Sequence, residues 1–241
     1  MEKRKLWDIE EFNKTNLPKI LEGRVNKIKF SKNNNIRVLD LPIHIPGQGW
    51  KIPENLSQFN HVVEIMRKHE EKYGMEDHYV YITVDQKVVS QGETGRRAGA
   101  HSDAYIEREN VQVDVIAENH DIIEKETDEV SHTYVVSDVF PTEFFEEKFP
   151  LKQVDCEGSM KTFNEIVESA KPITYPDYTI LKLDPYVIHR SAIADMTKMR
   201  TFVKVSFSKK KYSRKGNTVN PEFDYNWEIK GRSKHERNHP W

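Results

Sequence analysis

The chain has a single cysteine, Cys156, among 241 residues. One cysteine makes an internal disulfide impossible and leaves no cysteine-based zinc cluster to form, which fits a reducing cytoplasm. Long apolar runs are missing too, and none approaches the roughly 20 residues that a membrane span needs. The opening stretch MEKRKLWDIEEFNK is charged and lacks the apolar centre of a secretory signal. Nor does one sign of charge dominate. Lys and Arg number 37 against 39 Asp and Glu, a net charge of −2. That balance argues against general affinity for duplex nucleic acid or a membrane surface. No internal repeat is visible. These absences give the expectation of a soluble, cytoplasmic, single-domain protein with neither membrane nor duplex nucleic acid among its partners, and they leave its oligomeric state open.

What is present falls into four stretches. Residues 1–56 read as an N-terminal extension and loops. Within them LPIHIPGQGWKIP, Leu41 to Pro53, carries three prolines and two glycines and cannot be regular helix, so His44 and Trp50 are expected on a loop packed against the domain. Residues 57–74 read as a buttressing helix. Phe59, Val62, Val63, Met66 and Tyr73 fall on one face, Ser57 stands as N-cap and Gly74 at the C′ position, with His61 and His69 left outside any ligand set. Residues 78–212 are rich in β-branched and aromatic runs: His78–Val84, His132–Phe140, Tyr178–Leu183, Tyr186–Ser191 and Thr201–Ser208 are predicted strands. One helix, KTFNEIVESA, interrupts them. The tail, 213–241, is expected to fold back through the aromatics of NPEFDYNW. The fold class is therefore mainly β with flanking helices, a sandwich or open barrel.

The chemistry gathers around GRRAGAHSDAY. On an extended chain, residues two apart project to one side, so His101 and Asp103 are placed to share a ligand. Gly99 and Ala100 before them permit close backbone approach. The pair alone is a weak signal. A second histidine, His189, ends the apolar run YVIH, and Arg200 opens RTFVKVSFS eleven residues later, with Ser206 on the same strand face. Arginine suits a buried carboxylate partner because its fork pairs bidentately. Arg96, Arg97 and Tyr105 flank the motif as candidate substrate contacts, the arginines for an anionic group.

H-x-D, a distal histidine some ninety residues on, and an arginine eleven beyond it resemble the Fe(II)/2-oxoglutarate-dependent dioxygenases, the phytanoyl-CoA hydroxylase-like branch in spacing. The resemblance covers about Tyr79 to Ser208. It implies a double-stranded β-helix, a jelly-roll or cupin-like barrel, as the core. It implies His101, Asp103 and His189 as the iron ligands, Arg200 on the distal carboxylate of 2-oxoglutarate, and Ser206 in support. One departure stands out. Phe202 and Lys204 occupy same-face positions that are often small or hydroxylated in the family, which leaves Lys204 as an alternative or an aid to Arg200. The implied activity is hydroxylation of a small molecule or of a peptide or amino-acid side chain, with decarboxylation of 2-oxoglutarate to succinate. Two other readings stay open: a cupin-like metal- or ligand-binding barrel without oxidative turnover, and a metal-dependent isomerase or hydrolase on a similar barrel.

Overall fold

The computed structural model describes residues 2–21, 30–31, 35–103, 129–151 and 156–231, the first two of the last segment through their backbone alone. Tyr105 lies outside the described residues, as do the rest of 104–128 and residues 32–34. Among the described residues no helix is long and apolar enough to cross a membrane.

The structure is mostly β. In chain order the strands are β1 (Lys19–Ile20), β2 (Ile36–Ile45), β3 (Gly49–Trp50), β4 (Tyr79–Val89), β5 (His132–Ser137), β6 (Glu143–Phe145), β7 (Pro172–Ile173), β8 (Leu181–Leu183), β9 (His189–Arg190) and β10 (Lys198–Ser208). Seven form one sheet in the order β1-β8-β5-β10-β4-β2-β3, and three form a second, β7-β6-β9. Every pairing between named strands is antiparallel. Two α-helices accompany them, α1 (Asn60–Glu70) and α2 (Cys156–Val167).

Period-two patterning explains which face goes where. On β10, Val203, Val205 and Phe207 join Val80, Ile82 and Val84 of β4 in the core that receives Phe59, Val62, Val63 and Met66 around α1. Each such side chain, once fully buried, contributes about 1.5–3 kcal/mol. The alternate residues Arg200, Phe202, Lys204 and Ser206 face the other way. There Phe202 packs with Phe144 of β6 and Val187 beside β9, so this face looks at the three-stranded sheet.

The pairings nest. β4 pairs with β10, His101 bridges His189, β5 pairs with β8, and β6 pairs with β7. From Tyr79 to Ser208 the chain therefore runs out and returns beside itself, alternating between the two sheets as it goes.

Several sequence expectations need correction. Leu41–Pro53 is not a loop. Leu41–Ile45 completes the ten-residue strand β2, and the chain turns at Gly47 and Gly49, both at positive φ, into β3. The proline at 42 is tolerated because the register of β2 against β4 shifts there, a bulge where a missing N–H costs little. Ser57 is not an N-cap. A 3-10 turn at Glu54–Phe59 leads into α1, whose own cap position, Phe59, makes no side-chain cap bond. Gly74, at φ 73°, closes the short turn that follows α1. The strand expected at His132–Phe140 stops at Ser137, before Phe140 adopts positive φ. That expected at Tyr178–Leu183 keeps only β8, because Tyr178 is also at positive φ. β9 retains two residues of Tyr186–Ser191.

The tail lies along the edge of β2. Thr218 N–H donates to Leu39 O at 2.8 Å, and the buried Asn220 donates through Nδ2 to Pro42 O and Lys51 O at 2.8 and 2.9 Å. Trp227 packs edge-on against Tyr79. A strand edge that is otherwise open is thereby covered.

Candidate metal centre

The site starts from a backbone exchange. His101 N–H donates to His189 O at 2.9 Å, and His189 N–H donates to His101 O at 3.1 Å. That reciprocal pair sets the two imidazoles side by side, ring centroids 4.5 Å apart. Each ring is then turned by its own strand. His101 Nδ1 lies 3.1 Å from Gly99 O and His189 Nδ1 lies 3.0 Å from Val187 O. A carbonyl can only accept, so Nδ1 carries the proton in both rings and Nε2 keeps its lone pair.

Asp103 arrives by a different route from the one the sequence predicts. It stands in a turn rather than on a continuous strand. Ser102 donates through Oγ to Pro185 O, which ties that turn to the approach to β9. Asp103 Oδ2 comes to 3.7 Å from His189 Nε2. One donor atom from each of His101, Asp103 and His189 lies within 4.8 Å of the others.

Electrostatics keep these groups in their ligating forms. Burial, and next the neighbouring His189, push the His101 imidazole down to about 3. Burial likewise lowers His189, with Asp103 opposing. For Asp103 burial acts upward, but Lys204, His189, His101 and Arg96 together outweigh it and hold the carboxyl well below the usual carboxylate range. The result is two neutral nitrogens and one ionised oxygen, a donor set that accepts a borderline divalent cation.

Cations stand around it. Lys204 Nζ sits between two carboxylates, 3.6 Å from Asp103 Oδ1 and 3.8 Å from Asp40 Oδ1. Asp40 also accepts from Thr83 Oγ1 at 3.0 Å and lies 3.7 Å from Arg214. Arg200 is buried, at 2% exposure, and its Nε donates to Val139 O and Phe140 O at 3.2 and 3.3 Å. Burial, and next the neighbouring Arg96, bring its guanidinium down to about 10, still cationic near neutrality. Among the described residues no carboxylate reaches ion-pair distance of Arg200. Gly95 packs on it so closely that an added Cβ would stand 2.9 Å from Nη1.

The paired arginines diverge. Arg96 stacks on Phe202 at 4.6 Å, on the ring whose centroid is 5.0 Å from the Arg200 guanidinium. Arg97 turns to Met160 on α2. Ser206 is buried and meets Thr133 at 3.3 Å, the next same-face position beyond Lys204. Two neighbours of the site were not singled out from sequence. Asp40, at φ 42°, lies at the first register shift of β2 against β4, between Val38 and Leu41, just before the proline-bearing stretch. Asn164 of α2, which hydrogen-bonds the backbone of Ala100, has no local pattern that connects it to that residue. No protein-family model, no curated protein and no solved structure matches this chain.

Proposed function

We propose that the chain is a non-haem Fe(II) and 2-oxoglutarate-dependent oxygenase carried on a double-stranded β-helix. The nested pairing of β4 with β10, His101 with His189, β5 with β8 and β6 with β7 supports the jelly-roll reading, since a folded-back double strand wound between two sheets has this connectivity. The His101, Asp103 and His189 donors fit the two-histidine, one-carboxylate set that leaves one side of Fe(II) open to other ligands. When bound, iron and 2-oxoglutarate would supply the oxidising chemistry with O2 as the oxidant, one oxygen atom going to the hydroxylated substrate and the other to succinate as CO2 is released.

The observation that carries the reading is Arg200. A buried guanidinium with no carboxylate at ion-pair distance among the described residues, supported only at longer range by Asp85 and Asp138, has capacity left for an anionic ligand. A barrel that only holds a metal has no use for it. With Nε spent on the Val139 and Phe140 carbonyls, Arg200 is held in orientation for the distal carboxylate of 2-oxoglutarate. Lys204 has a different task. Placed between Asp103 and Asp40, it keeps the ligand carboxylate ionised and stationary. A small molecule or a peptide or amino-acid side chain remains the substrate class, with Arg96 contributing positive charge close to Asp103.

The test is succinate formation by protein supplied with Fe(II), 2-oxoglutarate and air, without added substrate, together with 2-oxoglutarate binding to the metal-loaded protein under nitrogen. Truncating one partner of a buried charge pair costs about 2–5 kcal/mol. Arg200→Met is therefore expected to weaken 2-oxoglutarate by at least about thirtyfold, and Lys204→Met by less than about tenfold. Binding of metal without any binding of 2-oxoglutarate would remove the oxygenase reading in favour of a non-oxidative barrel.

A further inference from the structure

Resting on the metal reading above, we propose that Asn164 of α2 is a positioning residue that sets the His101 ligand by clamping the backbone one residue before it. Ala100 N–H donates to Asn164 Oδ1 at 2.8 Å, and Asn164 Nδ2 donates back to Ala100 O at 3.0 Å. The same Nδ2 donates to Met160 O one helical turn earlier, at 2.7 Å, which fixes the amide against its own helix. On an extended chain, successive residues turn their N–H and C=O groups to opposite sides. His101 uses its pair on β9, through His189. Ala100 turns the other way and meets a side-chain amide, which offers one donor and one acceptor as a neighbouring strand would.

Gly99 shows how close this contact is. It adopts φ 86°, and an added Cβ would stand 2.9 Å from Asn164 Oδ1. Its carbonyl is also the acceptor for His101 Nδ1 at 3.1 Å. Asn164 therefore fixes two successive peptides, one carrying the Gly99 carbonyl that turns the His101 ring and the next carrying the His101 backbone nitrogen. The helix is itself anchored, since Phe163 and Val167 are buried in one apolar cluster with Ala100, Phe12 and Tyr186. A movement of α2 at Asn164 reaches the His101 imidazole through two covalent links and one hydrogen bond.

The experiment compares the full chain with Asn164→Ala, Asn164→Asp, Val167→Ala and His101→Ala. Each is titrated with Co(II) followed by its visible absorption, melted without metal, and measured for amide exchange at Ala100. Loss of a partner that orients a metal ligand weakens binding by about 10- to 100-fold. That loss is expected for Asn164→Ala, with an altered Co(II) spectrum and faster Ala100 exchange. Asn164→Asp keeps the acceptor and loses the donor, and is expected to fall between Asn164→Ala and the parent. Val167→Ala loosens the same apolar cluster but removes no hydrogen bond to Ala100, and is expected to lower the melting temperature with a clearly smaller loss of Co(II) affinity than Asn164→Ala.

Unchanged Co(II) affinity and spectrum in Asn164→Ala would overturn the proposal, as would an equal loss in Val167→Ala. If the parent chain binds Co(II) no better than His101→Ala does, the metal reading itself falls and takes the proposal with it. That failure shows in the parent, so the two are told apart.

Discussion

Two carboxylates, one buried and one partly exposed, stand on opposite faces of the seven-stranded sheet, and their surroundings differ in kind. Glu70, at the end of α1, is fully enclosed. Arg4 Nη2 reaches it at 2.6 Å, His132 Nδ1 at 2.7 Å, and Tyr134 donates through its hydroxyl. Burial acts to raise its carboxyl, but His132, Arg4 and Tyr134 outweigh it and keep it ionised. Asp103, on the face toward the three-stranded sheet, has cationic or imidazole neighbours only at 3.6 and 3.7 Å and keeps 18% of its side chain exposed. A carboxylate closed by short bonds is part of the framework. One held at a distance, beside two imidazoles whose Nε2 atoms are unprotonated, has capacity left for a ligand. The contrast separates stability from function within a single sheet.

The largest effect is expected where the network is closed. Glu70→Ala leaves Arg4 and His132 buried without their anion, a loss of about 3–5 kcal/mol that thermal unfolding would report as a much lower melting temperature. Asp103→Ala in the metal-free protein removes only contacts at 3.6 and 3.7 Å, and Lys204 keeps Asp40, so a clearly smaller loss than that of Glu70→Ala is expected. Equal losses in the two variants would erase the distinction. A divalent metal sharpens it from the other side. At a hundredfold excess over its dissociation constant, a metal that binds only the folded chain adds about 2.7 kcal/mol. That gain is expected in the parent chain, to persist in His132→Gln on the far face, and to vanish in Asp103→Ala.

The same contrast shows what the sequence could disclose. That His101, Asp103 and His189 meet was legible, because two share a local motif and the third ends an apolar run. The face of α1 was legible from its 3.6-residue period, since Phe59, Val62, Val63 and Met66 are all buried. Its start was not, because Pro53 leads through a 3-10 turn that shares the polar composition of a cap. β1, β3, β7 and β9 have two residues each, too few to show a period. Asp40 was hidden because it stands at a register shift, between Val38 and Leu41, that no local pattern announces. Asn164 and Ala100 are 64 positions apart, and Glu70 meets His132 across 62, so only the folded chain brings them together. The ligand trio was readable because its members carry a motif or end an apolar run, and the groups that hold it in place carry no such mark.

Acid acts on both faces of the sheet, through His101 and His189 at the metal centre and through three imidazoles on the α1 side. Burial lowers His78 to about 4, with Arg4 as the next contributor, and burial also lowers His69 and His132. Below about pH 6.5 the unfolded chain takes up protons that these folded imidazoles refuse. Their contribution to stability is therefore complete above pH 6.5 and declines as the pH falls toward 4, by at most about 1.4 kcal/mol per pH unit for each imidazole. Glu70 acts in the same direction. Its lowered carboxyl contributes stability that is present above the ordinary carboxylate range and is lost on further acidification. Melting temperatures measured from pH 7 to 4.5 are expected to fall steadily, and His78→Gln is expected to flatten the slope by about one proton. A flat profile in the parent chain would mean that these imidazoles accept protons in the folded state, and the closed character assigned to the α1 side would be lost.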